Sequence, residues 1–334
     1  MKNITAKSIL FSLGTVLVSF LFTLTSWNIP LPASISGNSI AISAISDSVN
    51  LIHPLNHTKL PLEAPVETIR PLNQLHDQVL QNKLNTILNS DDQWVALSNK
   101  KSLSIGIVDM LDPIHSRFAA INGDNMMYAA SLPKIAVLLA SEDAINRGKI
   151  VETAEVKNDM RMMIAKSSNE AASRMINRVG IDHIASVLQD PSYNLYDKQN
   201  GGGLWVGKPY GRGGIRIGDP LKNLSHAASV MQVCKYYYML AFGQLVSKDR
   251  SKDMLQLLSE PELHHKFVSV LDRVAPTATV YRKSGTWENW HADSVLVWDE
   301  DRRYIVVVLA MDGGGEKILR DLMVKIDEVL VAKG

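Results

Sequence analysis

The chain has 334 residues and nearly balanced charge, with 35 Lys and Arg against 34 Asp and Glu and a formal net charge of +1. Hydrophobic residues make up 46% and charged residues 21%, which is the composition of a protein that buries a sizeable core. Because the net charge is close to zero and the sequence has no long basic run, binding to nucleic acid through the phosphate backbone is not expected. The single cysteine, Cys234, excludes a disulfide framework and a multi-cysteine metal cluster.

The N-terminus has the pattern of a targeting segment. Lys2 and Lys7 precede an uncharged apolar stretch from Ile9 to Thr25, which is typical of a secretory signal and is just long enough to span a membrane. We therefore expect residues 1–27 to direct export to the periplasm or another extracytoplasmic space. They act either as a cleaved signal peptide or as an anchor that keeps the N-terminus in contact with a membrane.

Residues 28–70 are rich in Pro and Ser and predict a linker. Their Ile and Leu content leaves open whether part of this segment lies along the folded domain. Residues 71–334 are expected to form that domain. Apolar residues at three- and four-residue spacing over 75–88 predict a first amphipathic helix. Two β-rich segments, 102–110 and 118–121, predict a hairpin. Helical patterns follow over 132–146, 169–179, 226–246 and 252–259.

The C-terminal part of the chain is again β-rich before it ends in a helix. Three strands are expected at 278–283, 294–298 and 304–311. The final helix is expected at 318–329. The sheet is thus split, with two strands before the helices and three after them, and a helix lies near each end. This layout predicts an α+β fold in which helices cover an antiparallel sheet and a mostly helical lobe lies beside it.

Ser131 and Lys134 are predicted to begin a helix that is apolar on nearly all sides. Three positions apart on a helix, their side chains share a face and can meet. A serine hydroxyl is a weak nucleophile until a base removes its proton, and a desolvated lysine has a pKa low enough to do this. The free N–H at a helix start also suits a developing oxyanion. An N-capping serine followed by a surface lysine gives the same pattern, so this motif alone is weak.

A second motif, Ser167-Ser168-Asn169, precedes another predicted helix. Ser167 is placed to relay a proton to a leaving group, and Asn169 is placed to hydrogen-bond a substrate amide. A simple helix cap is the structural alternative, because Ser and Asn are favoured capping residues.

The third motif, Lys283-Ser284-Gly285, lies at the end of a predicted strand and is followed by Thr286. The lysine supplies positive charge for a substrate carboxylate and polarises Ser167. The glycine allows the strand to approach a ligand closely, and the N–H of Thr286 is a candidate second oxyanion donor. A lysine on an edge strand before a turn is the structural alternative.

In chain order, the three motifs resemble the signature of class A β-lactamases and penicillin-binding proteins, over roughly residues 71–334. The resemblance implies a β-lactamase/transpeptidase-like fold, with a five-stranded antiparallel sheet flanked by terminal helices and an all-helical lobe. It further implies that Ser131 is the acylated nucleophile, Lys134 its base and Ser167 a catalytic partner. The implied substrate-binding residues are Asn169, Lys283, Ser284, Gly285 and Thr286.

The sequence departs from the family pattern in the region that drives deacylation. Class A enzymes carry a glutamate on an omega-shaped loop that activates the deacylating water, but residues 181–220 contain no Glu. Asp190 and Asp197 are the candidate replacements. The glycine-rich run 201–214 predicts either a mobile surface loop or a lid over the nucleophile. Ser168 stands where the family motif has Asp, for which we expect a local structural cost more than lost catalysis.

Three functions fit these observations. The first is an exported β-lactamase-like serine hydrolase with another water activator. The second is a penicillin-binding-type peptidase or acyl transferase that acts on cell-wall peptides and deacylates slowly. The third is a β-lactamase-fold binding domain without turnover, which the joint presence of the motifs disfavours. The expected partner is a small-molecule or cell-wall peptide substrate, without a cofactor or nucleic acid. No metal site is expected, because His264, His265 and His291 lack metal-binding spacing. The oligomeric state is left open.

Overall fold

The computed structural model describes residues 59–211 and 213–331. The predicted signal or anchor at residues 1–27 and the first part of the predicted linker, residues 28–58, lie outside the described residues. Within the described part of the chain, no helix combines the length and the apolar composition that are needed to cross a bilayer.

The strands form one large and two small sheets. They are β1 (Leu103–Asp109), β2 (Arg117–Ile121), β3 (Met127–Tyr128), β4 (Tyr196–Asp197), β5 (Gly202–Gly203), β6 (Trp205–Val206), β7 (His226–Ala228), β8 (Thr279–Trp287), β9 (Trp290–Trp298) and β10 (Arg303–Met311). The large sheet has the order β2-β1-β10-β9-β8 and is antiparallel throughout. The predicted five-stranded sheet, split between the two ends of the domain, is therefore confirmed.

The helices lie on both faces of this sheet. They are α1 (Gln78–Leu88), α2 (Asp92–Asn99), α3 (Lys134–Asn146), α4 (Ala154–Ala165), α5 (Asn169–Val179), α6 (Ile181–Leu188), α7 (Val230–Ala241), α8 (Lys248–Leu258), α9 (Phe267–Val274) and α10 (Gly315–Val331). Helices α2, α4 and α9 were not predicted. Two of them, α2 and α9, have only eight residues each. Helices this short owe their stability to packing rather than to local sequence.

Two hydrophobic cores lie on opposite faces of the large sheet, because successive strand residues point to alternate sides. In β10, Val306 and Val308 belong to the core that α1, α9 and α10 cover. Ile305 and Val307 belong to the other core, which joins the sheet to the helical lobe through α7. The second core positions the turn before α3, because it buries α3 among the helices of the lobe, and the lobe contacts the sheet through α7.

The end of the expected linker packs onto the domain. Ala64 is buried in the core of the helical lobe, and Leu60, Leu62 and Ile69 pack against it. Glu63 forms an ion pair with Lys248 at 2.6 Å. Contact with the folded domain therefore begins before residue 71.

Some predicted boundaries shift where a capping side chain decides them. Asp77 accepts a hydrogen bond from the N–H of Leu80, so the first helix begins after it. The helix predicted from residue 226 begins at Val230, after the cap Ser229. Residues 226–228 form β7 instead, because they pair with both β3 and β6.

Candidate active site

Ser131 lies in a tight turn between β3 and α3. The preceding Ala130 has a positive φ of 48°, a backbone conformation that is uncommon outside glycine. The prediction that Ser131 begins the helix is wrong by one turn, because α3 begins at Lys134, with Pro133 as its cap. No described residue accepts a hydrogen bond from the N–H of Ser131. The turn therefore presents both the hydroxyl and a free N–H of one serine.

Lys134 is fully buried at the start of α3. Its Nζ atom lies 3.1 Å from Ser131 Oγ, 2.8 Å from Asn169 Oδ1 and 2.5 Å from the backbone oxygen of Ser167. Burial lowers the pKa of Lys134 to about 7, against an attractive effect of the Glu170 carboxylate. Near neutral pH, a large share of this amine is uncharged and able to accept the Ser131 proton.

Ser167 and Asn169 come from the junction of α4 and α5. Ser167 has a positive φ of 56°, which directs its hydroxyl towards the two lysines. Ser168 caps α5 by accepting a hydrogen bond from the N–H of Ala171 at 3.2 Å. A polar cap of this kind is what the N-terminus of a helix requires, so Ser168 here has a structural role.

Lys283 reaches the same hydroxyl from the sheet. Its Nζ donates to Ser167 Oγ at 2.9 Å and to the backbone oxygen of Ser284 at 2.8 Å. It lies in the middle of β8 rather than at the end of a strand. Burial, and then the nearby charge of Lys134, lower the pKa of Lys283 well below its usual value. Five predicted residues thus meet: Ser131, Lys134, Ser167, Asn169 and Lys283.

Gly285 lies directly beneath the turn that carries Ser131. A Cβ at this position would stand 2.2 Å from the backbone oxygen of Ala129 and 2.8 Å from the nitrogen of Ser131. Such distances are far inside van der Waals contact, so only glycine permits β8 to approach the turn this closely.

The N–H of Thr286 faces the cleft. The carbonyl of Ser284 accepts a hydrogen bond from Lys283 Nζ in the site. The carbonyl of Gly285 instead accepts one from Lys266 Nζ. The carbonyl of Ala292, which pairs with Gly285 across β9, also accepts from Lys266 Nζ. Alternate residues of a strand direct their backbone groups to opposite edges. The N–H of Thr286 therefore shares the free edge with the Ser284 carbonyl, beside Ser131.

Ser284 is placed differently from the prediction for its side chain. The residue is buried and is not among the described residues that line the cleft. Its hydroxyl is hydrogen-bonded to Nε2 of His265 at 3.2 Å. Burial lowers the pKa of His265 to about 4, so this imidazole is neutral near pH 7.

The cleft that contains Ser131 has a volume of about 740 Å³, and its lining includes the rings of Tyr128, Tyr210, His226 and Trp287. The described residues that line it are Tyr128, Ala130, Ser131, Asn169, Lys208, Tyr210, Gly211, Gly213, Ser225, His226, Thr286 and Trp287. The ring of Tyr210 lies 4.5 Å from Lys134 Nζ, and its hydroxyl donates to the oxygen of Ala130 at 3.3 Å. Part of the glycine-rich run therefore covers Lys134, and the interpretation as a surface loop is wrong for residues 202–206, which are buried and include two short strands.

No carboxylate is among the described residues that line this cleft. Asp190 accepts from the N–H of Ser192, and Asp197 accepts from the N–H of Gln199. The carboxyl groups of both candidate replacements are thus held within their own loops. Glu170, which acts on Lys134 through its charge, accepts a hydrogen bond from Ser168.

Two residues that contact β8 beside the site were not predicted. His265 bonds the Ser284 hydroxyl, and the fully buried Lys266 bonds the backbone of Gly285. They stand in a polar stretch before α9, where sequence alone does not distinguish a surface lysine from a buried one.

The chain matches the model of the beta-lactamase enzyme family over residues 152–331. The match contains Ser167 and Lys283 but not Ser131 or Lys134, whose placement rests on the geometry. No curated protein matches the chain.

Solved structures with the same fold cover most of the chain at low identity. A beta-lactamase from Sphaerobacter thermophilus is 17% identical, with a TM-score of 0.57, over 71% of this chain and 94% of its own. PBP-A is 16% identical, with a TM-score of 0.56, over 76% of this chain and 96% of its own. A variant of PBP-A in an acyl-enzyme complex with penicillin G is 17% identical, with a TM-score of 0.56, over 75% and 96%. At these identities the likeness establishes the fold.

Proposed function

This chain belongs to the beta-lactamase enzyme family, and we propose that it is a serine hydrolase that opens a β-lactam or related amide by acylation of Ser131. One observation carries this proposal. Ser131, which lines the cleft, is linked to Lys134, Ser167 and Lys283 by a continuous hydrogen-bonded network. A binding domain without turnover has no need to keep a buried lysine at low pKa beside a serine hydroxyl.

The network supports each proton transfer that acylation requires. The uncharged amine of Lys134 accepts the Ser131 proton while Oγ attacks the substrate carbonyl carbon. The N–H groups of Ser131 and Thr286 stabilise the negative oxygen of the tetrahedral intermediate. The carbon–nitrogen bond then breaks, and the leaving nitrogen takes a proton from Ser167, which regains one from the lysines. The product is an ester on Ser131.

We propose that this ester is long-lived. Hydrolysis requires a base for the attacking water, and such a base contributes about 10²–10⁴-fold to the rate. The described lining of the cleft offers no carboxylate, while the carboxylates of Asp190 and Asp197 are engaged elsewhere. These features favour a penicillin-binding-type enzyme, as does the acyl-enzyme of the PBP-A variant with penicillin G. Efficient β-lactam hydrolysis is the second candidate function, because the fold is also that of β-lactamases.

Intact-mass spectrometry of the purified protein with benzylpenicillin tests both functions. We expect an adduct of ligand mass that persists, and no adduct with Ser131→Ala. Ser168→Ala is the matched control, since Ser168 adjoins the site but caps α5, and it should still be labelled. Rapid loss of free penicillin with little adduct would instead establish a β-lactamase. If no adduct forms and no penicillin is lost, a β-lactam substrate is contradicted.

We also propose that the enzyme acts outside the cytoplasm, on a small-molecule or cell-wall peptide substrate. The apolar stretch Ile9–Thr25 behind two lysines supports export. Fractionation of cells that express the full chain tests this. Recovery of the protein only from the cytoplasm would contradict it.

A further inference from the structure

Lys266 is a fully buried lysine on the side of β8 that faces away from the cleft. Its Nζ donates to the backbone oxygen of Gly285 at 2.7 Å, to Thr286 Oγ1 at 2.8 Å and to the backbone oxygen of Ala292 at 3.2 Å. The residue adopts a positive φ of 52°, and burying an ammonium group carries a desolvation penalty that its hydrogen bonds must offset. The fold therefore maintains a costly arrangement at this point.

The peptide group that Lys266 contacts is the one that supplies the oxyanion donor. The carbonyl of Gly285 and the N–H of Thr286 belong to the same planar amide, whose two ends point in opposite directions. The positively charged ammonium that is hydrogen-bonded to the Gly285 carbonyl oxygen draws electron density from the amide nitrogen of Thr286. Linked hydrogen bonds strengthen one another in this way. The N–H on the cleft side thereby becomes a stronger donor.

The charge needed for this effect is present near neutral pH. Burial lowers the pKa of Lys266 to about 8, while the carboxylate of Asp293 opposes that shift. Asp293 itself accepts from the N–H of Phe267, at the start of α9, so the loop that carries Lys266 is anchored directly to β9.

We propose that Lys266 is a positioning residue that holds and polarises the Gly285–Thr286 peptide, strengthening the Thr286 N–H as an oxyanion donor. This role rests on the proposed function, because it assumes that an oxyanion forms beside Ser131. Lys266 acts through the peptide and does not touch the substrate.

Two measurements on Lys266→Met test the proposal. In the free protein, the amide nitrogen resonance of Thr286 should move to lower frequency, because the charge on its carbonyl partner is lost. With benzylpenicillin, the acylation rate constant should fall about tenfold to a hundredfold, because a weakened donor loses part of the roughly 10²–10³-fold effect of a complete one. The apparent dissociation constant of the penicillin before acylation should stay within a factor of two or so.

Two further variants separate this role from simple support of the fold. Lys266→Gln keeps a neutral donor and should give an intermediate amide shift and rate, even if the methionine variant folds poorly. Ser269→Ala removes the hydrogen bond from Ser269 Oγ to the backbone oxygen of Lys266, 2.8 Å long. It perturbs the same loop without touching the ammonium, and it should acylate at the normal rate.

The outcomes distinguish this inference from the proposed function. Normal acylation together with an unchanged Thr286 resonance in Lys266→Met would overturn the role of Lys266 and leave the acyl-enzyme intact. If the unsubstituted protein forms no adduct and consumes no penicillin, the β-lactam function fails first. The Thr286 resonance in the free protein then decides whether Lys266 polarises the peptide, and an unshifted resonance would overturn the inference there too.

Discussion

Lys283 donates a hydrogen bond of 2.9 Å to the hydroxyl of Ser167, across 116 positions of the chain. The bond joins an edge strand of the sheet to a loop of the helical lobe, and the same hydroxyl lies 3.4 Å from the ammonium of Lys134. Two buried lysines thus share one hydroxyl, and the charge of Lys134 adds to burial in lowering the pKa of Lys283. The contact between sheet and lobe therefore brings two buried amines of lowered pKa together beside Ser131.

The first prediction concerns the pH dependence of acylation. Burial lowers the pKa of Lys134 to about 7, and only its uncharged form accepts the Ser131 proton. The acylation rate should therefore rise as the pH increases through about 7 and then level off, and Lys134→Arg should remove acylation at every pH. Stopped-flow measurements with a chromogenic cephalosporin give the profile. A rate that does not change between about pH 5.5 and 8.5 would exclude Lys134 as the base.

The second prediction concerns Gly285→Ala. The new Cβ would stand 2.2 Å from the Ala129 oxygen, so the turn that carries Ser131 must move. A displacement of about 1 Å at reacting groups costs about 10²-fold in rate, and we expect a loss of at least that size in labelling by intact mass. Gly313→Ala is the matched control, because its Cβ would meet only Asn289 Oδ1 at an ordinary 3.7 Å. Equal labelling of both variants would contradict the close approach of β8.

The third prediction separates stability from catalysis at Ser168. Ser168→Ala removes the cap of α5, which should lower the free energy of unfolding by about 0.5–2 kcal/mol. Ser168→Asn, which retains a capping side chain, should restore most of this loss. Urea unfolding gives the free energies, and penicillin labelling should proceed in both variants. Loss of labelling with unchanged stability would instead place Ser168 in the chemistry.

The fourth prediction concerns the buried ion pair behind β8. Arg282 donates from Nε to Asp293 Oδ1 at 2.8 Å, and both side chains are almost completely buried. Asp293→Asn leaves the guanidinium without a counter-charge, so the free energy of unfolding should fall by about 3–5 kcal/mol. Asp321→Asn breaks an exposed pair with Lys317 and should cost less than about 1 kcal/mol. Denaturant unfolding compares the two variants, and similar losses would refute the prediction.

The split sheet and the three motifs could be predicted from the sequence because both are recorded in short-range patterns. Alternating apolar residues predict strands, and a serine three positions before a lysine brings two side chains to one face of a helix. The same reasoning failed for α2 and α9, which have only eight residues each and which packing stabilises. It also placed Lys283 at the end of a strand, because the polar residues of the β8–β9 hairpin interrupt the apolar alternation.

The sequence by itself determined the fold class and the split of the sheet into two strands before the helices and three after them. It also identified Ser131, Lys134, Ser167 and Lys283 as candidate site residues. Only the tertiary structure decided how they meet, with Tyr210 over Lys134 and Lys266 bonded to the Gly285–Thr286 peptide. It also decided that the carboxylates of Asp190 and Asp197 serve their own loops. The physical reason is that burial and hydrogen-bond partners are set by contacts between distant segments. The same lysine is a solvated surface charge or a buried donor depending on what packs around it.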